Sequence, residues 1–430
     1  MAARVPPLLR VLLAIALAAG VLAPSPVAAN PKVDAVAEFG ATLTPEQMVR
    51  AFDDARLPNL QAPDLEPPTI TGNAELDEHI RALGEARGYV RRPEPSGGLA
   101  YADGRLLQPT AAAAWEQLQA AAAAAGHSID ITSGYRSAAN QRTIWLDRMF
   151  GTSDEALDFL MQTVAVPGYS KHHTGYAIDL RSGASSLYAF QNTAAYAWLS
   201  ENNFANAMAY GWLPSYPEGV ENIGPNPEPW EFVYVGLDNI LCVDFDPEAD
   251  PDRPFCDTIG STFAGDIVWL HGTGLTTGCD ALRYCTDDIV TRAEAATFLW
   301  RLFGMLEPDP DLELVFDDVP DGQYYTDPVR WMVEYEITTG TTPTTFSPFD
   351  TLTRAQFVTF LWRAAGRPDP MSPLEFDDVD PESYAADAIA WAKSVGITNG
   401  TSATEFSPDA TATRGQIAAF LHRFVDLVPA

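Results

Sequence analysis

The chain has 430 residues, 47% hydrophobic and 11% aromatic, which is enough apolar material to bury large cores and to exclude wholesale disorder. Its 58 Asp and Glu residues face 26 Lys and Arg, giving a formal net charge of −32. So acidic a chain is repelled by phosphate backbones and anionic lipid, so neither nucleic acid nor a membrane surface is expected as a partner.

In chain order, residues 1–29 read as a cleaved export signal. Arg4 and Arg10 make a basic start, and Val11 to Ala23 is an apolar run too short to span a bilayer comfortably. Val27-Ala28-Ala29 then offers the small residues a signal peptidase requires. No later segment is long and apolar enough to cross a membrane, so the expectation is a secreted protein. Residues 30–73, rich in Pro and acids with one amphipathic patch near Pro45 to Ala55, read as a spacer. From 74 to 240 the composition is globular. Thr110 is expected to N-cap a helix running through the Ala-rich stretch to Gly126, with Trp115 and Leu118 on one face. Ile129-Asp130-Ile131-Thr132 alternates as a short strand, a second helix begins near Ala138, and a third covers Ala194 to Asn202. Helices mixed with short strands point to an α+β domain rather than a regular βαβ series.

Residues 241–259 form an acidic linker, with Asp244, Asp246, Glu248, Asp250, Asp252 and Asp257 among prolines. The alternation is reminiscent of a calcium loop, but the central glycine and twelfth-position glutamate of an EF-hand are missing. Export permits disulfides, and the simplest pairing is local, Cys242 with Cys256 and Cys279 with Cys285. A zinc knot is disfavoured, because there is no CxxC pair and His271 is the only nearby imidazole.

The last third of the chain repeats. Trp269, Trp331 and Trp391 are spaced by 62 and 60 residues, and the same intervals separate Gly278, Gly340 and Gly400. They also separate the pairs Thr291-Arg292, Thr353-Arg354 and Thr413-Arg414, and the residues Phe298, Phe360 and Phe420. Each unit predicts a helix carrying the Trp, a Gly/Thr turn, an extended segment, and a second helix N-capped by the Thr. The motifs FDDV, GIT or EITTG, FSP, and TRAE, TRAQ or TRGQ resemble S-layer homology modules over residues 260–310, 311–370 and 371–430. The resemblance implies an all-α, three-fold prism that binds pyruvylated secondary cell-wall polysaccharide. Arg292, Arg354 and Arg414 would then pair with the anionic ketal. The competing reading is that each Arg only pairs with an acid near its own helix start. The first unit lacks FDDV and carries Cys279 and Cys285 in its turn. A guanidinium that can bind a carboxylate in bidentate fashion is the group such recognition requires.

Chemistry concentrates between residues 133 and 231. His172 and Asp179 lie seven residues apart with Gly175 between them, a spacing that suits a turn into a strand bringing both side chains to one metal. On spacing alone, two polar loop residues making structural hydrogen bonds explain the same pattern. Three segments in order add to this: SGYRS at 133–137, S-x-H-x-x-G-x-A-x-D at 170–179, and EPW-x-F-x-Y-V-G at 228–236. Together they resemble the VanY-like zinc D-alanyl-D-alanine carboxypeptidases, peptidase family M15, over residues 74–240. The resemblance implies a hedgehog/DD-peptidase-like fold, with a small antiparallel sheet and helices. It implies His172 and Asp179 as zinc ligands, Glu228 as general base for the attacking water, and Arg136 as stabiliser of the oxyanion. Tyr135, Ser137, Gln141, Ser170 and Trp230 would line the substrate cleft. His173 would point to the opposite side in an extended segment, and His79 and His127 have no motif support.

One position departs from the family pattern. Where the family places a third histidine ligand, this chain has Glu231. Glutamate ligates zinc, but a more anionic set weakens Lewis acidity and favours a harder metal. The leading expectation is a secreted, wall-anchored zinc carboxypeptidase that removes the terminal D-Ala of peptidoglycan stem peptides. The alternative is a non-catalytic peptidoglycan-binding surface protein that lost its metal at Glu231. The decisive geometric question is whether that carboxylate converges with His172 and Asp179.

Overall fold

The structure is a computed structural model that describes residues 35–36, 42–62, 66–250 and 252–427, so the expected signal segment lies outside the described residues. These residues divide between two compact units, one ending at Phe245 and the other beginning at Asp246. Among the described residues no helix is long and apolar enough to cross a membrane.

The first unit is helical with two small antiparallel sheets. A hairpin pairs β1 (Ala100–Ala102) with β2 (Arg105–Leu107). A four-stranded sheet uses β3 (Asp130–Ser133), β4 (Ala177–Arg181), β5 (Trp212–Pro214) and β6 (Glu231–Tyr234), in the order β3-β4-β6-β5. Ile178, Leu180 and Phe232 are buried from this sheet. Strand alternation sends Asp179 and Glu231, which are directly paired, to the opposite face. Ser133 pairs with Asp179 from the other side, after a register shift between Ile131 and Ser133. A bulge of this kind re-aims a side chain next to a functional centre.

The expected helices are present with adjusted ends. The Ala-rich helix spans Pro109–Ala124 and buries Trp115 and Leu118, but its N-cap is Gln108, without a side-chain cap. Pro109 lies just inside the helix start, where a missing N–H costs nothing. Thr110 is therefore already helical and does not cap. The helix at Ala138–Arg148 is capped by Ser137. The third helical stretch divides into Ala194–Leu199 and Glu201–Met208. In the segment read as a spacer, Pro45–Asp53 is a helix with a Thr44/Gln47 capping box, and it buries Met48, Val49, Ala51 and Phe52. Arg92 joins it through Asp53 and lies 5.2 Å from the Phe52 ring centroid.

The second unit holds three helix pairs that share one apolar core. The Trp-bearing helices are Ala264–Gly272, Thr326–Glu334 and Ala386–Ser394. Their partners, Arg292–Leu302, Arg354–Ala364 and Arg414–Asp426, are each N-capped by the expected Thr in a full capping box. The repeats close on one another through a ring of backbone bonds. Val290 N donates to Ala412 O at 3.0 Å, Leu352 N to Val290 O at 2.9 Å, and Ala412 N to Leu352 O at 2.9 Å.

The first repeat does contain a counterpart of FDDV, within the segment read as linker. Asp318 accepts from Phe346 N and Ser347 N at 2.8 and 2.7 Å, and Asp378 from Phe406 N and Ser407 N at 2.8 and 2.6 Å. Asp257 accepts likewise from Tyr284 N and Cys285 N at 2.8 and 2.6 Å. Phe255 stands where Phe316 and Phe376 stand. A Cβ on Gly278, Gly340 or Gly400 would approach the matching ring to 2.6, 2.5 and 2.6 Å, and all three glycines have positive φ. Glycine is required there on both counts. Cys279 and Cys285 form the expected disulfide across the first of these turns.

Candidate metal centre and cleft

The cavity in the first unit measures about 330 Å³ and is bordered by Ser133, Arg136, Gln141, Ser170, His172, Asp179, Glu228, Trp230 and Glu231. His172 comes from a 3-10 turn at Lys171–Thr174 that ends at Gly175, whose φ of 74° is left-handed, before β4 begins. The sheet supplies the two carboxylates. His172, Asp179 and Glu231 each offer a ligand atom, all within 4.8 Å of one another and all buried. His172 Nε2 lies 3.4 Å from Asp179 Oδ1 and 3.4 Å from Glu231 Oε2.

These residues fit a metal ion on two counts. His172 Nδ1 is 2.7 Å from Gly134 O, which directs its proton there and turns the Nε2 lone pair into the cavity. Nε2 itself is buried without a hydrogen-bond partner. Two carboxylates directly opposed across a strand pair also repel each other unless a cation lies between them. One imidazole nitrogen and two carboxylate oxygens are ordinary zinc ligands and leave a fourth position open.

The electrostatics follow from this crowding. Burial works against a charged His172, but Asp179 and Glu231 outweigh it and push its pKa up to about 9. Burial would also raise Glu231, yet the facing His172, with Ser215 and Lys171, brings it down to about 2. Glu228 is held well above the usual carboxylate range, first by burial and then by Glu231 and Asp179. The paired carboxylates thus favour one proton on Glu228.

Arg136 is fixed at the edge of the centre. Its guanidinium donates to Gln141 Oε1 at 2.7 Å and to Ser133 Oγ at 3.1 Å, and it lies 3.6 Å from Asp179 Oδ2. Gln141 is itself anchored on Ala165 O at 2.7 Å. His173 is turned away from the cavity as expected, but in a 3-10 turn rather than on an extended strand. In the 3-10 turn it is buried, with Nδ1 2.6 Å from Arg136 O and Nε2 accepting from Gly168 N at 3.0 Å. Burial, with His172 and Arg136 nearby, lowers its pKa to about 4, so it is a neutral prop beneath Arg136.

Of the other expected cleft residues, Ser170 and Trp230 line the cavity and Tyr135 and Ser137 do not. Ser137 caps its helix by accepting from Asn140 N, and Tyr135 donates to Glu94. The structure adds residues that no motif indicated. Tyr188 meets Trp230 edge to face at 4.7 Å, with both rings on the cavity wall. Ser215 Oγ donates to Glu231 Oε1 at 2.6 Å. Ser133 was in view as part of SGYRS, but only its pairing with Asp179 places it at the centre.

In the second unit the three TR arginines are nearly superimposable in role. Nε of Arg292, Arg354 and Arg414 donates to Phe346 O, Phe406 O and Tyr284 O at 2.7, 2.9 and 2.8 Å. Each guanidinium lies over the ring of that same residue at 4.6, 4.7 and 4.8 Å, and a second ring from Phe360, Phe420 or Phe298 lies at 5.4–5.5 Å. Among the described residues only Arg414 has a carboxylate within salt-bridge range, Glu294 at 4.0 Å. At longer range the charges of Asp350 and Asp318 act on Arg292, and that of Asp378 acts on Arg354.

A buried His/Asp/Glu cluster that could hold a metal ion thus sits on an antiparallel sheet, with a carboxylate and a guanidinium beside it. Residues 104–237 match the family model VanY, D-alanyl-D-alanine carboxypeptidase, and residues 315–358 and 375–418 match that of the S-layer homology domain. The bifunctional D-Ala-D-Ala dipeptidase and carboxypeptidase VanXYC of Enterococcus gallinarum is 34% identical over 137 residues, 30% of this chain and 68% of that protein. A D-alanyl-D-alanine carboxypeptidase of Enterococcus faecalis is 32% identical over 115 residues, 25% of this chain and 40% of that protein. Among solved structures, a mutant of the vancomycin-resistance D,D-pentapeptidase VanY in complex with Zn(II) aligns at 25% identity with a TM-score of 0.30, over 36% of this chain and 89% of its own. The chain belongs to the VanY D-alanyl-D-alanine carboxypeptidase family and carries S-layer homology domains alongside the peptidase domain.

Proposed function

We propose that the protein is a secreted, cell-wall-anchored zinc carboxypeptidase that hydrolyses the terminal D-Ala of peptidoglycan stem peptides. The observation that carries this reading is the convergence of the Glu231 carboxylate with His172 and Asp179. Family membership and the names of the Enterococcus relatives supply the substrate class.

A bound zinc supplies Lewis acidity, lowering the proton affinity of water and polarising a carbonyl. His172, Asp179 and Glu231 would hold it. With the metal's charge offsetting Glu231 and Asp179, Glu228 would ionise, accept the proton of the attacking water and return it to the leaving amine. Arg136, held rigid by Gln141 and Ser133, meets the negative charge that develops on the carbonyl oxygen. Trp230 and Tyr188 form an aromatic wall for the peptide, and Ser170 offers a hydroxyl at the floor. Purified protein is expected to hold one zinc per chain and to release D-Ala from a muropeptide pentapeptide. A protein without metal or release, in which Glu231→His restores both, would show a degenerate site and favour the binding-protein alternative.

The repeats serve as the anchor in this reading, as a three-fold prism whose grooves present Arg292, Arg354 and Arg414 to an anionic secondary wall polysaccharide. Arg354 is only 4% exposed, with its Nε committed to Phe406 O and two rings within 5.4 Å of its guanidinium, so its Nη groups are what would meet a carboxylate. Arg354→Ala should reduce co-sedimentation with purified wall fragments by at least about tenfold, the scale of one lost charge-assisted pair. Unchanged binding after loss of all three arginines would remove this mechanism.

A further inference from the structure

Lys171 has no role in the chemistry above, yet it is only 2% exposed. Its ammonium donates to Ser215 O at 2.7 Å and lies 4.2 Å from the Tyr216 ring centroid and 5.3 Å from that of Phe52. Burying an ammonium is costly unless negative charge lies nearby, and the carboxylates acting on this one are Asp53 first, then Glu231 and Glu228. Ser215 is fully buried and passes the connection on. Its N–H donates to Glu231 O at 2.9 Å, and its Oγ donates to Glu231 Oε1 at 2.6 Å. With Oε1 tied, Oε2 is the oxygen aimed at His172 Nε2, 3.4 Å away.

We infer that Lys171 and Ser215 are positioning residues that make Glu231 a workable third metal ligand. The serine hydroxyl fixes which carboxylate oxygen faces the metal. The lysine ammonium holds the serine and offsets the additional negative charge. A divalent cation held by two carboxylates and a neutral imidazole is net neutral, whereas a set with two imidazoles and one carboxylate keeps one positive charge. A buried ammonium linked to Glu231 through Ser215 returns that charge to the surroundings of the site and preserves part of the Lewis acidity. The inference rests on the zinc-site reading and adds to it the device that compensates for the substituted ligand.

The test is zinc affinity of the full chain, measured by chelator competition. Ser215→Ala and Lys171→Met should each weaken zinc binding by about 10- to 100-fold, the usual cost of losing a partner of a metal ligand. In a Glu231→His background the same Ser215→Ala change should alter affinity by less than about threefold, because the coupling to the carboxylate has gone. Ser215→Ala removes one oxygen and leaves the backbone bond to Lys171, so it reports even where Lys171→Met fails to fold. Unchanged affinity in Ser215→Ala, or an equal loss in both backgrounds, overturns the inference while leaving the site reading intact. A wild-type chain that binds no zinc overturns both.

Discussion

Glu228→Gln is expected to lower the rate of D-Ala release by about 10²- to 10⁴-fold while zinc content stays at one per chain, the range general-base catalysis contributes. The amide keeps the shape of the side chain and loses its basicity. Glu228 sits where it can act because its backbone N–H is held by Tyr216 O at 3.2 Å and its own carbonyl accepts from Glu231 N at 3.0 Å. That short turn delivers the base and the third ligand together from one end of β6. Loss of activity with loss of metal would instead assign Glu228 to holding the ion. Near-normal activity with metal present would remove it from the mechanism.

The second large effect concerns pH. With its pKa raised to about 9, His172 is protonated at neutral pH unless a metal takes the place of that proton. Zinc binding then releases a proton, so apparent affinity should rise by about tenfold per pH unit from pH 6 toward 9 and flatten above. Folding stability should run the other way in zinc-stripped protein. A raised folded-state pKa stabilises fully below the unfolded value near 6.5, and that contribution is lost as pH rises through about 9. Glu228, also raised, acts in the same direction. Lys171, lowered to about 8 by burial and Arg92, acts oppositely but only from pH 8 upward. Melting curves between pH 6.5 and 8 should therefore fall with pH in chelator and much less steeply in saturating zinc, where the rising affinity offsets the loss at His172. Parallel slopes in the two conditions would show that His172 does not exchange a proton for the metal.

Legibility in the sequence followed the range of the interactions. His172 and Asp179 could be paired by eye because Gly175 turns the chain between them and both lie in one local segment. The repeat was plain because its markers are large side chains, capping threonines and glycines at fixed intervals. Its first copy was harder. Phe255-Cys256-Asp257-Thr258 keeps only the ring and the one aspartate that the turn uses, and those two groups are what the packing needs. Pro109 displaced the helix cap from Thr110 for a purely local reason. The helix at Pro45–Asp53 showed in the sequence only as an amphipathic patch within polar, proline-rich residues, although its capping box could have been read from Thr44 and Gln47.

Sequence by itself determined the membership of the peptidase domain, the repeats, the candidate base and guanidinium, and the fact that Glu231 departs from the family pattern. It could not say what that departure means, because a residue's identity does not reveal its neighbours across a sheet. The tertiary structure decided this through register: β4 against β3 and β6 brings Ser133, Asp179 and Glu231 into one row, and a shift of one residue would have sent Glu231 to the other face. It also linked Lys171 through Ser215 to that carboxylate. Residues far apart in the chain meet there only because the strands pair as they do.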